Sequence, residues 1–84
     1  HFERRVMDAI RKMAKKHITD LANYQSRRIG RVVRRVSVRD TRSRWGSCSS
    51  SGNLSFSWRL IFAPYEVFEY VVAHEVSHLR HMNH

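Results

Sequence analysis

The stretch Pro64-Tyr65-Glu66-Val67-Phe68-Glu69-Tyr70-Val71-Val72-Ala73-His74-Glu75-Val76-Ser77-His78-Leu79 decides how the rest of the chain is read. Pro64 suits the first turn of a helix, where its missing amide hydrogen would have had no partner. Glu66 and Glu69 fall near the positive end of such a helix, and Arg80 and His81 near its negative end, as the dipole favours. The spacing predicts a helix over residues 64–82. Val67, Phe68, Val71, Val72, Val76 and Leu79 cover so much of its circumference that it should be central and largely buried.

Within this helix stands His74-Glu75-Val76-Ser77-His78, an H-E-x-x-H pattern. Histidines four residues apart lie on one helical face, so both imidazoles can reach one ion at about 2.0–2.1 Å. Glu75 projects about 100° around the helix from His74, where it can meet a water at the ion without being a ligand. Zinc lowers the pKa of such a water toward roughly 7, and a neighbouring carboxylate can then take its proton. A catalytic zinc usually keeps three protein ligands, and His84 supplies the third donor, six residues beyond His78. That offset matches the long H-E-x-x-H-x-x-G-x-x-H pattern, although His81 stands where the pattern has Gly. Asn83 offers an alternative left-handed residue to end the helix.

Chance gives this constellation in roughly one chain in a thousand of the same composition, so it is read as a site. A plain core helix would leave Glu75 unexplained, because an unpaired carboxylate among apolar residues costs several kcal/mol. A closed structural zinc would favour four ligands and cysteine, whereas three histidines leave a position open.

Working back toward the N-terminus, residues 54–60 alternate Leu54, Phe56 and Trp58 with Ser55, Ser57 and Arg59, a strand with one buried face. Before it the run Ser49-Ser50-Ser51-Gly52-Asn53 carries turn chemistry, and residues 41–48 pair across it as a hairpin. Residues 31–40 read as extended, with Val32, Val36 and Val38 sharing a face, which completes a small antiparallel sheet. Residues 2–23 read as an amphipathic helix with the stripe Phe2, Val6, Ile10, Met13, His17 and Leu21. His17 has no ligand pattern around it and is taken as structural. The expected fold is therefore α+β: an N-terminal helix, a small antiparallel sheet with a hairpin, and a site-bearing helix.

The 84 residues suffice for one small domain with a single modest core. A start at His1 and an end at His84 with no closing element read as a fragment lacking a C-terminal part. No apolar run is long enough to span a bilayer, and nothing near residue 1 has the form of a signal peptide. Membrane partners are therefore not expected, and a cytoplasmic address is; the lone Cys48 fits a reducing compartment. A formal charge of +9 favours acidic partners, nucleic acid or nucleotides among them. Nothing in the sequence fixes an oligomeric state.

The residues Arg44-Trp45-Gly46-Ser47-Cys48, Trp58-Arg59-Leu60, Ala63-Pro64, Tyr70-Val71-Val72, His74 to Leu79 and Asn83-His84 resemble the YgjP-like metallopeptidases, a group related to SprT-type zinc proteases. The resemblance covers about half the chain. It implies a minimal zincin-like core, with His74, His78 and His84 as zinc ligands and Glu75 catalytic. Two departures are Ser57, where the family often has Asn, and the absence of the Ser and Phe-Trp that usually follow the third histidine. Apart from the family, Trp45 reads as a core anchor, Gly46 as a bulge or close-approach point and Cys48 as a small buried hydrophobe. Residues 44–48 also read as a strand edge on which an extended peptide could lie. Tyr70 reads as a group that could hold a developing oxyanion.

The function expected is thus hydrolysis of a peptide or protein substrate with zinc as cofactor. One alternative is metal-dependent cleavage of a nucleotide phosphoanhydride, against which stands the lack of a phosphate-cradling Gly-rich loop. Another is a non-catalytic nucleic-acid-binding module.

Overall fold

Leu54-Ser55-Phe56-Ser57, the most regularly alternating residues of the chain, take the middle of the sheet. In the computed structural model, which describes residues 1–81, they belong to β3 (Asn53–Ser57). Flanking it are β1 (Arg35–Arg39) and β2 (Gly46–Cys48), in the order β1-β3-β2. Leu54 and Phe56 point inward and are essentially fully buried, as a central strand with one covered face requires.

The hairpin forms as expected. β2 runs antiparallel to β3, with Gly46 opposite Phe56 and Cys48 opposite Leu54. Gly52 makes the turn with φ of 86°, a conformation side-chain-bearing residues rarely adopt. The expectation of a wholly antiparallel sheet is corrected, however, because β1 pairs with β3 in parallel, Val36 beside Leu54 and Val38 beside Phe56. Consecutive strands do alternate in direction, but β3 inserts between the other two instead of adding at the edge. The strand with the strongest inward pair thereby gains neighbours on both sides.

Two further boundaries move. Val36 is buried and Val38 packs on the core, but Val32 lies outside the strand and is 83% exposed. β3 stops at Ser57 instead of running to Leu60, because the Ser57 hydroxyl accepts from the Arg59 amide at 3.2 Å and opens a 3-10 turn, Trp58–Phe62. Trp58 leaves the strand face at that point.

The N-terminal helix, α1, spans Phe2–Arg28, five residues beyond the expected end. Its stop is a glycine-terminated motif. Gly30 has φ of 69°, the Arg31 amide donates to the Ser26 carbonyl at 2.9 Å, and the Gly30 amide donates to the Arg27 carbonyl at 3.1 Å. The buried stripe is not the expected one either. Ala14, Ile18, Ala22 and Ser26 face the core, whereas Phe2 is 79% exposed and Met13 50%. Small residues on either side of Ile18 let α1 approach its neighbours closely, and Phe2 and Met13 are left outside the contact.

The C-terminal helix, α2, spans Tyr65–Ser77, with the amides of Val67 and Phe68 bonded to the Pro64 carbonyl. A 3-10 turn, His78–His81, continues it. The continuous helix to residue 82 is thus corrected within the described residues, and there is a local reason. The His74 carbonyl accepts from the Ser77 hydroxyl at 2.6 Å, while the closing amides turn to the carbonyls of Glu75 and Val76. Nor is α2 largely buried. Val72, Glu75, Val76 and the following Leu79 face inward, but Tyr65, Val67 and Tyr70 are exposed. The expected Asn83 stop lies outside the described residues.

The core collects Ile18 from α1, Leu54 and Phe56 from β3, Leu60 from the first 3-10 turn, and Val72 and Val76 from α2. Each contributes on the order of 1.5–3 kcal/mol by leaving water. The fold is α+β, with both helices on one face of a mixed three-stranded sheet. No helix is long and apolar enough to cross a membrane among the described residues.

Candidate metal centre

The same packing that buries Val72 and Val76 decides where the histidines go. With these valines inward, His74 and His78 fall on the solvent side of α2 and its continuation, both exposed. Their rings stand 4.9 Å apart between centroids and nearly perpendicular, at 87°. The Tyr70 ring stacks on His74 one turn earlier, at 6.0 Å and 26°, and so restrains the orientation of that imidazole.

Glu75 lies on the boundary between this surface and the core. The residue is 8% exposed, and its Oε1 lies 4.0 Å from Nε2 of His78. β2 passes directly beside it. A Cβ added to Gly46 would stand 2.8 Å from Cδ1 of Phe56, closer than packed carbons allow, and 3.1 Å from Cγ of Glu75, tighter than most such contacts. Gly46 is therefore the close-approach point that the sequence suggested, and the two contacts say what approaches. Cys48, two residues on, is partly buried, and its thiol is pushed up from its usual pKa, first by loss of water and then by the Glu75 charge.

Among the described residues, the edge of β2 that faces away from β3 makes no backbone pairing. The Ser57 amide donates to the Trp45 carbonyl and the Ser49 amide to the Asn53 carbonyl, both at 2.9 Å. These bonds place the odd-numbered residues of β2 in register with β3. In an antiparallel ladder the alternate residues, Gly46 and Cys48, then turn their N–H and C=O groups outward. The alternation of residues 44–48 alone does not distinguish which of them carry the open hydrogen-bonding groups of this edge.

The donor set fits a metal ion in kind: two adjacent, exposed imidazoles with a carboxylate beside them. His74 and His78 are neighbours, and Glu75 approaches His78. His84, the third donor read from the sequence, lies outside the described residues, and among the described residues no three His, Cys, Asp or Glu side chains gather as a metal-binding group.

The chain belongs to the YgjP-like metallopeptidase domain family, whose description matches residues 1–84. No curated protein and no solved structure matches it.

Proposed function

We propose that this domain hydrolyses peptide bonds, with His74, His78 and His84 holding a zinc ion and Glu75 acting as general base. The observation that carries the reading is the position of Glu75: nearly buried, wedged against Gly46, yet with Oε1 4.0 Å from a histidine that would hold the metal. Family membership supports the metal and the peptide chemistry in general. When bound, zinc polarises the scissile carbonyl and acidifies water.

The remaining work falls to the chain. Glu75 accepts the proton from the attacking water and returns it to the departing amine, as a single carboxylate does in general acid–base catalysis. Partial burial keeps its position fixed and excludes competing solvent. Tyr70 holds the His74 ring by stacking. The outward N–H and C=O groups of Gly46 and Cys48 supply hydrogen bonds for an extended substrate, which would add as a strand beside β2 and pass Glu75.

The decisive experiment has two parts. Zinc per chain is measured after purification without added metal, for this sequence and for His74→Ala. Turnover of an unstructured peptide, and release of pyrophosphate from nucleotides, are measured for this sequence and for Glu75→Gln. The expected result is loss of zinc in the first variant and, in the second, zinc retained with peptide turnover lost. Equal zinc in His74→Ala, or full turnover in Glu75→Gln, would overturn the assignment.

A further inference from the structure

Both helices cover one face of the sheet and leave the other open. Alternation sends Val36, Leu54 and Phe56 into the core and puts Arg35, Ser37, Arg39 and Ser55 on the opposite side. The register places Ser37 and Ser47 on either side of Ser55. Three hydroxyls therefore cross the sheet in a row, with Arg35 and Arg39 bracketing the β1 end. This face forms a shallow groove of about 480 Å³. At Thr41 it meets a second hollow of about 330 Å³, lined by Arg42, Arg44 and Trp45.

No carboxylate lines either hollow. Asp40, adjacent in the chain, is engaged by Arg59 at 2.6 Å and Arg11 at 3.8 Å. By contrast Arg35, Arg39, Arg42 and Arg44 make no ion pair among the described residues. Unpaired cations crowded along one trough repel each other and raise the local concentration of anions. The choice of cation is also distinctive. Lysine occurs only in α1, at Lys12, Lys15 and Lys16, and the trough is built from arginine, whose planar fork matches phosphate oxygens.

We propose that this outer sheet face binds single-stranded nucleic acid. The guanidinium groups contact phosphates, the serine row donates to phosphate and sugar oxygens, and Trp45, 46% exposed at the end of the trough, stacks on a base. A base is free to stack only when unpaired, which favours a single strand over a duplex. A lipid surface fits poorly, because the floor is largely hydroxyl-bearing and its apolar members, Leu54 and Cys48, are buried and partly buried. The trough lies across the sheet from α2 and meets the β2 edge at Cys48.

Binding of a fluorescently labelled oligothymidylate to the whole chain, followed by anisotropy in the presence of EDTA, tests this. With about four phosphates neutralised, affinity should fall roughly 50-fold between about 50 and about 200 mM salt. In the double variant Arg35→Ala, Arg39→Ala that fall should shrink to roughly 7-fold. Removing the same charge from α1, with Lys12→Ala and Lys15→Ala, should leave the salt dependence unchanged. Ser55→Glu, which keeps every arginine but adds a carboxylate to the floor, should weaken binding roughly tenfold or more. Saturation should quench tryptophan fluorescence, and Trp45→Phe should remove that quenching. Equal effects of the α1 and trough variants, full binding by Ser55→Glu, or tighter binding to polyglutamate or anionic vesicles would overturn the proposal.

Discussion

A Cβ at Gly46 would stand 3.1 Å from Cγ of Glu75, so the strand edge and the glutamate of the candidate site are in contact only because position 46 has no side chain. Neither neighbour can give way freely. Phe56, the other contact, is fully buried in the core, and Glu75 is itself nearly buried.

Gly46→Ala should therefore destabilise the fold by about 1–3 kcal/mol, the usual result of overpacking. Denaturant titration measures this directly. Peptide turnover of the folded fraction should fall as well, since the methyl group displaces Glu75 before it displaces backbone. A variant with unchanged stability would mean that the contact is looser than the geometry indicates.

The thiol of Cys48 reports on the same corner. Burial and the Glu75 charge both raise its pKa, so alkylation near neutral pH should be slower than for an open thiol. Glu75→Gln removes one of the two causes and should speed the reaction. The linked stability has a definite sign: because the folded pKa is raised, its contribution is complete below the ordinary thiol pKa and lost as pH rises through the folded value. Alkylation rates as a function of pH, with and without the substitution, test both statements.

Ile18→Ala should cost about 2–5 kcal/mol, as expected for a fully buried isoleucine. Met13→Ala, at a half-exposed position, should change stability by no more than about 0.5 kcal/mol. Paired thermal or urea melts separate the two. The opposite order would restore the stripe of large apolar residues as the packed face of α1.

At Gly30 nothing lies within 4 Å of the position a Cβ would take, so substitution there probes the backbone alone. Gly30→Ala should destabilise by about 1–2 kcal/mol through the left-handed conformation, and Gly30→Asn by less. Helix content at the end of α1, followed by amide hydrogen exchange at residues 26–31, should fall in the same order.

These positions also mark where the sequence was legible. The hairpin could be read because Gly52 and Asn53 interrupt two alternating segments, and the shared face of His74 and His78 follows from their four-residue spacing. The phase of α1 could not, because apart from Ile18 its contact face is made of Ala14, Ala22 and Ser26, which carry little hydropathy, while Phe2 and Met13 carry much and sit outside. Parallel pairing of β1 was hidden because strand direction leaves no trace in alternation. The early end of α2 turns on a hydroxyl competing for one carbonyl, at Ser77 and His74. For the candidate site, the need to shelter Glu75 was visible in its apolar surroundings. That Gly46 and Phe56 provide the shelter depends on tertiary contact, and His84 lies outside the described residues.

The insertion of β3 between β1 and β2 bears on how the chain acquires its shape during synthesis. As the polypeptide leaves the ribosome, β1 and β2 emerge first, yet neither has a neighbour to bond with until residues 53–57 follow. Helix α1 can coil as it appears, but the sheet must close in one late event that joins segments distant in the chain. Nascent chains halted before residue 53 should thus be helical at one end, sensitive to proteolysis beyond it, and dependent on the final third of the sequence for any strand structure.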